Sequence, residues 1–221
     1  MIQKMLEAGV HVGHRIQRWN PAMEPYITGR REGIHIIDLF QTHSLLTKIC
    51  LLLSDRQKKR LLFVGTKKSA SSLVELAANA CYKQAHFVNH RWLGGFLTNW
   101  TTMRECITRF DKIDPDKAVS KKERLLLLKQ LARLEKYLNG VKTMEYKPEI
   151  LVIVGQQEEM IAVQESLRLN IPNITLLDTD CNPKLATHGI PANDDSFYSI
   201  QFILKTLVAA HNKNIEKLFV W

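Results

Sequence analysis

The segment Ile150-Leu151-Val152-Ile153-Val154 is the clearest indication of the fold class of this 221-residue chain. Five consecutive apolar residues, most of them β-branched, are typical of a strand that is covered on both faces, as the strands of parallel sheets are. Further short apolar runs predict strands at 34–37, 61–64, 86–88 and 174–177. Most of these runs alternate with helical patterns. The sequence therefore predicts an α/β three-layer sandwich with a mainly parallel sheet.

Between residues 98 and 147 the strand-like runs give way to two helical patterns. Apolar residues recur there at steps of three and four, the spacing of one face of a helix. They are Met103, Ile107 and Phe110 in the first pattern and Leu127, Leu131, Leu134 and Leu138 in the second. Asp114-Pro115-Asp116 divides the helices, Ser120 with Glu123 forms a capping-box pattern, and Asn139-Gly140 predicts a left-handed stop. We therefore predict an antiparallel coiled-coil hairpin over 98–147, inserted into an α/β domain made of 1–97 and 148–221.

The charge of the chain is large and unevenly distributed. Lys and Arg outnumber Asp and Glu by 31 to 22, which gives a net charge of +9 and an isoelectric point near 9.4. Residues 145–204 hold nine acidic and three basic side chains, which leaves +15 for the rest of the chain. Such an excess attracts a phosphate backbone with a strong dependence on salt. The distribution favours a nucleic acid as the partner, with a solvated basic face that binds nothing as the open alternative.

Cations, flat rings and glycines meet in the segment His90-Arg91-Trp92-Leu93-Gly94-Gly95-Phe96-Leu97-Thr98-Asn99-Trp100. The planar guanidinium of Arg91 can chelate phosphate oxygens, and the ring of Trp92 can cover a sugar or a base. Paired glycines let backbone amides approach a bulky polyanion. The segment therefore predicts RNA contacts by Arg91 and Trp92.

A second such segment, His11-Val12-Gly13-His14-Arg15-Ile16-Gln17-Arg18-Trp19, lies near the amino terminus. It predicts RNA contacts through Arg15, Arg18 and Trp19, and structural packing of the histidines and the tryptophan is the alternative. Two histidines three residues apart also raise the question of a zinc site, which needs three or four converging ligands. No compatible cluster is visible among His35, His43, His86 and His90. We therefore predict no metal.

A third candidate, Gly65-Thr66-Lys67-Lys68-Ser69, follows the predicted strand 61–64. It looks like a phosphate cradle, with glycine at the turn and free amides at the start of the next helix. The glycine spacing of nucleoside triphosphate loops and of dinucleotide sites is missing. The residues leave two main interpretations open, a contact of Lys67 and Lys68 with backbone phosphate or a plain turn.

Several functions find little support in the sequence. Asp178-Thr179-Asp180 at a predicted strand end has no matching nucleophile or base in the sequence. The rival hypothesis is a phosphate- or nucleotide-binding α/β enzyme that holds a phosphate at 65–69 and uses Asp178 or Asp180 as acid or base. The acids of Asn193-Asp194-Asp195-Ser196 are expected to cap the last helix. Four widely spaced cysteines predict reduced thiols. No apolar window is long enough for a membrane span, and no secretory signal or cofactor motif is evident.

Taken together, these segments resemble the universal small-subunit ribosomal protein S2 family. The resemblance runs from about Met5 to Ala209, and the matching stretches follow one another in family order. They are Met5-Leu6-Glu7-Ala8-Gly9-Val10-His11, Gly13-His14, Arg18-Trp19-Asn20-Pro21, Pro25-Tyr26-Ile27, Gly33-Ile34-His35-Ile36-Ile37-Asp38-Leu39, Val64-Gly65-Thr66-Lys67-Lys68, Arg91-Trp92-Leu93-Gly94-Gly95, Leu97-Thr98-Asn99 and Ile190-Pro191-Ala192-Asn193-Asp194-Asp195.

The resemblance implies a flavodoxin-like α/β domain with an inserted coiled-coil hairpin. It implies binding to small-subunit ribosomal RNA, contacts with neighbouring small-subunit proteins, and a role in assembly and architecture without catalysis. In bacteria the family also helps to dock the large, mRNA-binding first protein of the small subunit, which the resemblance implies as a further partner.

Three features depart from the usual pattern of the family. Val12 stands where an aromatic residue is usual, Gly155 stands where an acidic residue is usual, and the hairpin is shorter than in bacterial members. The run Gln156-Gln157-Glu158-Glu159 is closer to plastid than to bacterial versions. The resemblance therefore implies a ribosome in the plastid (chloroplast) stroma, with the bacterial cytoplasm or the mitochondrion as alternatives.

Overall fold

The computed structural model of the chain describes residues 1–54, 60–81, 85–112 and 121–212. Its strands are β1 (Val12–Arg15), β2 (Ile27–Arg31), β3 (Ile34–Ile37), β4 (Leu61–Val64), β5 (Ala85–Val88), β6 (Ile150–Ile153), β7 (Asn173–Leu177) and β8 (His188–Pro191). Its α-helices are α1 (Ile2–Glu7), α2 (Leu39–Ser54), α3 (Lys68–Ala80), α4 (Trp100–Lys112), α5 (Lys121–Leu138), α6 (Met160–Arg168) and α7 (Phe197–His211).

Strands β4 to β8 form a parallel sheet in the spatial order β5-β4-β6-β7-β8. Counted from β4, this is the order 2-1-3-4-5 that is typical of flavodoxin-like doubly wound folds. The winding reverses between β4 and β6, because the chain runs outward from β4 to the edge strand β5 and then crosses back to β6. The predicted α/β class with a mainly parallel sheet is confirmed.

Both faces of the sheet are covered, which explains the continuous apolar runs. Leu61 and Phe63 of β4 belong to the core shared with α2, α3 and α7, whereas Leu62 and Val64 belong to the core shared with α4, α5 and α6. All four side chains are at most 1 % exposed. Burying a side chain of this kind contributes about 1.5–3 kcal/mol. The central strands therefore hold the three layers together.

The run at 34–37 forms a strand, but it does not belong to the parallel sheet. It is β3, the central strand of a separate antiparallel sheet in the order β1-β3-β2. Along β3 half-buried and buried residues alternate, which is typical of an antiparallel sheet with one covered face. The predicted strand is therefore present, but a four-residue apolar run does not identify the strand or the sheet beside it.

One strand of the parallel sheet was not predicted. Strand β8 (His188–Pro191) pairs with β7 at the edge of the sheet. Its glycine and proline hide it from a search for β-branched runs, and an edge strand tolerates a proline because its N–H is not needed by a further neighbour.

The two predicted helices of the insertion are present as α4 and α5. Ile107 and Leu138 are buried against the sheet, whereas Asp114-Pro115-Asp116, Ser120 and the side chains of Phe110 and Glu123 lie outside the described residues. Asn139 and Gly140 form part of a short 3₁₀ turn, and Gly140 has no positive φ. The predicted left-handed stop is therefore wrong. Glycine is required there because a Cβ would collide with the Phe87 carbonyl oxygen. The limits of the insertion, 98 and 147, stay a prediction.

Candidate functional site

Polar residues from four parallel strands meet outside the carboxyl edge of the sheet. In doubly wound folds this crevice, at the point where the winding reverses, is where ligands bind. We call the group the switch-point cluster; it consists of His14, Lys67, Glu158, Asp178, Asp180, Asp194 and Asp195. Lys67 follows β4, Glu158 follows β6, and the four aspartates follow β7 or β8.

Lys67 is the central cation of this cluster. Its Nζ lies 2.6 Å from Asp194 Oδ1, 3.0 Å from Asp195 Oδ1 and 3.5 Å from Glu158 Oε2. Burial opposes the charge of Lys67, but the carboxylates outweigh burial and raise its pKa. Gly155 adopts a φ of +86°, and a Cβ there would come within 3.0 Å of the Lys67 side chain. The departure from an acidic residue at this position thus leaves room for the lysine stem.

His14 connects the small antiparallel sheet to the cluster. Its Nδ1 lies 2.9 Å from Asp178 Oδ1, and its Nε2 lies 3.2 Å from Asp195 Oδ2. The backbone N–H of His14 also donates to Thr179 Oγ1 at 2.9 Å. The hydrogen bond with Asp178, assisted by the surrounding carboxylates, raises the pKa of His14 to about 9 in spite of burial. His14 is therefore an imidazolium at neutral pH and joins the two sheets through ion pairs.

We expect the stability of the protein to depend on pH, because the ion pairs of His14 exist only while its imidazole is protonated. Because the pKa of His14 is higher in the folded chain, its stabilising contribution is complete below about pH 6.5 and is lost as the pH rises towards 9. His14→Gln removes this contribution, which amounts to about 1–2 kcal/mol after solvent screening. Urea denaturation of both proteins across this range measures it.

His90→Gln is the control for this measurement, because His90 is exposed and follows β5 outside the cluster. The His14→Gln protein should be less stable than the wild type at pH 6 and should approach it near pH 9. A difference between the two proteins that does not change with pH would contradict the role given to the imidazolium.

In the predicted phosphate cradle, residues 65–69, the groups that could bind phosphate are already bound to carboxylates of the protein. The backbone N–H of Thr66 donates to Glu159 Oε1 at 2.7 Å, and the Lys67 ammonium is surrounded by the cluster. Lys68, at the first position of α3, is exposed. The sequence predicts the same contact for both lysines, but Lys67 lies among carboxylates whereas Lys68 is exposed to solvent.

Trp92 lies in the core, although the sequence suggested a ring that stacks on RNA. It is 6 % exposed, its ring packs edge-on against Phe96 at 5.1 Å, and its Nε1–H donates to Glu165 Oε1 at 3.0 Å. A buried ring cannot cover a base, so this placement disagrees with the predicted stacking role. Arg91, directly before it, is exposed.

Glu165 is a residue whose importance the sequence analysis missed. It is a buried carboxylate on α6, and its two oxygens accept five hydrogen bonds from the segment that carries Trp92. The donors are Trp92 Nε1, the backbone amides of Gly95, Leu97 and Thr98, and Thr98 Oγ1. Burial opposes the ionised form, but these bonds outweigh it and lower the pKa of Glu165. A lone acid on the helix face that also carries the apolar residues Ala162 and Val163 was the available signal.

The remaining predicted RNA-binding residues lie on the small antiparallel sheet and on residues 16–20, which follow β1 and which we call its extension. Arg15 is exposed at the end of β1, and Arg18 is exposed with its Nε 3.6 Å from Asp180 Oδ2. The Trp19 ring is 36 % exposed and lies 5.1 Å from the His35 ring, tilted by 33°. This extension crosses the end of β7, because the Asn20 N–H donates to the Thr179 carbonyl. Arg18 and Trp19 therefore lie near the carboxyl edge of the parallel sheet, the edge that also carries Lys68 and Arg91.

The structure also bears on the metal, thiol and membrane questions. Among the residues that are described, no group of three or more His, Cys, Asp or Glu side chains is arranged to hold a metal ion. Cys50, Cys81, Cys106 and Cys181 are free thiols, as the sequence predicts. Within the described ranges no helix is both long enough and apolar enough to cross a membrane.

The parallel sheet is doubly wound, and internal ion pairs fill the crevice where such folds bind ligands. Exposed cations lie along the same edge of the sheet. These features define a class of α/β proteins suited to contact a polyanion with their surface. Comparison with known proteins identifies the family within this class. The sequence profile described as ribosomal protein S2 matches residues 5–214, and the chain belongs to that family. The resemblance stated from the sequence motifs is thereby confirmed.

Named relatives agree with this assignment over nearly the whole chain. The small ribosomal subunit protein uS2c of Mesostigma viride is 44% identical over 217 residues, which cover 95% of this chain and 94% of the relative. The uS2c protein of Rhodomonas salina is 47% identical over 211 residues, with 92% and 86% covered. That of Euglena gracilis is 44% identical over 222 residues, with 97% and 92% covered.

Proposed function

We propose that this chain is a structural constituent of the small ribosomal subunit, where it binds small-subunit ribosomal RNA and contacts neighbouring ribosomal proteins. The family match over residues 5–214 carries the proposal. The relatives named above are all uS2c proteins, the chloroplast type, so the ribosome is that of a plastid. The net charge of +9 supports binding to a polyanion.

The proposed RNA contacts are made by the exposed members of the predicted set, namely Arg15, Arg18, Trp19, Lys68 and Arg91. Each of them presents a cation or an aromatic ring to solvent. Trp92 and Lys67 are left out of the proposed interface, because Trp92 is in the core and Lys67 is engaged by three carboxylates. Their role is to shape the surface on which the others lie.

The rival hypothesis, an α/β enzyme, loses support at the switch point. An enzyme of this fold would bind its ligand where the Lys67 ammonium and the carboxylates of Asp194 and Asp195 lie. These groups satisfy one another at 2.6–3.0 Å. We therefore propose an architectural role without catalysis.

The helical insertion supports a second kind of contact, to protein. Leu125, Leu126 and Leu128 of α5 are 46–58% exposed, although such residues are usually buried. We propose that residues 98–147 form a module inserted into the domain of 1–97 and 148–221, and that it contacts neighbouring proteins of the subunit. The mRNA-binding first protein of the subunit is one of the partners proposed for it.

Sedimentation of organelle extract tests the proposed function. We expect this chain, followed by mass spectrometry across a gradient, to migrate with the small ribosomal subunit at moderate salt. A known subunit protein and a soluble stromal enzyme in the same gradient mark the two positions. Recovery of the chain only at the position of the soluble enzyme would contradict the proposal.

A further inference from the structure

The small antiparallel sheet ends in a well-defined tip. Glu32 and Gly33 connect β2 to β3 with φ angles of 51° and 78°, and a two-residue turn with two positive φ angles matches the twist of the strands it joins. The pair Arg31 and Ile34 lies directly beside the turn, followed by Arg30 and His35. Strand pairing therefore fixes where the arginines lie, in contrast to arginines on a long loop.

The register of the sheet places two arginines on one face. Ile34 of the central strand pairs with Arg31 of β2 on one side and with Arg15 of β1 on the other. Residues directly opposite one another point to the same face of a sheet. Because adjacent strands lie about 4.8 Å apart, the Cα atoms of Arg15 and Arg31 are about 10 Å apart across Ile34. Arg30 pairs with His35 and belongs to the opposite face, the face on which Trp19 packs.

The guanidinium groups of this pair are available to a ligand. Arg15 forms no ion pair with any residue that the structure describes. Arg31 has only Glu32 as a described ionic partner, at 3.7 Å, and both side chains are more than 80% exposed. An exposed pair of this kind contributes at most about 1 kcal/mol. An incoming phosphate can replace Glu32 at little cost.

The chemistry of this face fits phosphate better than a base. Two guanidiniums flank one aliphatic side chain, and each can bind phosphate oxygens through two parallel N–H bonds. The ring at this end of the sheet, Trp19, packs against His35 and so belongs to the other face. Among the described residues this face carries no ring, so it offers no stacking surface to a nucleobase and its contact is independent of base sequence.

We propose that Arg15 and Arg31 form a clamp that binds two backbone phosphates of the small-subunit ribosomal RNA across Ile34. The clamp rests on the proposed function. It goes beyond that function because it adds Arg31 to the interface and assigns Arg15 to phosphate binding at the tip of the small sheet. It also explains why the tip is a short paired turn, since a clamp needs fixed spacing between its cations.

Equilibrium binding of the full chain to a transcript of the small-subunit ribosomal RNA tests the clamp across a range of KCl concentrations. Arg15→Ala and Arg31→Ala should each reduce the slope of log K against log salt by about 0.9, and the double variant by about 1.8. Arg31→Lys should keep the wild-type slope, because it keeps the charge. The thermal midpoint should not change in the Arg31 variants, since that side chain is 83% exposed.

The matched control is the double variant Arg168→Ala and Lys205→Ala, which removes the same charge from exposed positions on α6 and α7. A control that loses as much slope as the clamp variant would overturn the clamp, because the effect would then reflect net charge alone. Wild-type binding with an unchanged slope in the clamp variant would overturn the clamp and leave the proposed function standing. A wild-type chain without affinity for the transcript would overturn both.

Discussion

Replacing Lys67 by Met is expected to lower the free energy of unfolding by about 3–5 kcal/mol, whereas the same change at Lys68 should alter it by less than about 0.5 kcal/mol. Methionine keeps the length of the stem but removes the charge. Asp194, 1% exposed, then loses the ammonium that lies 2.6 Å from its Oδ1. Lys68 is exposed, so its replacement leaves no buried partner. Equilibrium urea denaturation of both variants measures the difference.

The difference in free energy of unfolding between the wild type and the Lys67→Met protein should also increase as the pH rises. Burial raises the pKa of Asp194 to about 7 in the wild type, where Lys67 opposes the shift, and loss of the ammonium raises that pKa further. Between these two values the variant's native state still holds a proton that the wild type has released. Its stability therefore falls relative to the wild type as the pH increases. A deficit that stays constant between about pH 6 and pH 9 would show that Asp194 is not the group left unpaired.

For RNA binding we expect the opposite order, with a larger effect of replacing Lys68 than of replacing Lys67. Lys68→Met should lower the salt slope of binding by about 0.9, because an exposed cation is lost from the proposed interface. Lys67→Met, measured where the variant is still folded, should leave that slope unchanged. An equal loss of slope in both variants would return Lys67 to the RNA interface that the sequence suggested for it.

The architecture was largely predictable from the sequence, because burial on both faces leaves a local trace. The apolar runs at 61–64 and 150–154 identify central strands, and their covered faces require helices on both sides. The neighbour of each strand leaves no such trace. The run at 34–37 has the composition of a parallel strand, yet it pairs with β1 and β2 in a second sheet. Pairing is a long-range property that a four-residue run cannot specify.

The candidate site was less predictable, because RNA contact and internal ion pairing use the same residue types. Lys67 and Lys68 are adjacent and chemically identical, and what distinguishes them is the set of carboxylates around Lys67, above all the two aspartates that follow β8. Those aspartates are more than 120 residues away in sequence. They were expected to cap α7, but Asn193 accepts the amides of Asp195 and Ser196 instead. The prediction that the acids cap the helix was wrong. The side-chain amide of Asn193 accepts these backbone amides, and the carboxylates of Asp194 and Asp195 bind Lys67 instead.

Glu165→Ala is expected to lower the free energy of unfolding by about 4 kcal/mol. The carboxylate accepts five hydrogen bonds, and each buried donor left without a partner costs about 1–3 kcal/mol unless water reaches it. Gln164→Ala is the matched control, because Gln164 precedes Glu165 on α6 but is exposed. Glu165→Gln should cost less than Glu165→Ala, since one oxygen still accepts while the new NH₂ faces other donors. Urea denaturation of the three variants measures these differences.

The effect of Glu165→Ala should also be local and should depend on pH in one direction. The hydrogen bonds lower the pKa of Glu165 in the folded chain, so its contribution is present above the ordinary value of 4.5 and is lost as the pH falls. The amides of Gly95, Leu97 and Thr98 should exchange hydrogen faster in the variant, because they lose their acceptor. Unchanged exchange at these amides, together with wild-type stability, would contradict the role of the carboxylate. Because this segment also carries Arg91, the buried acid sets the position of a cation that we place at the RNA surface.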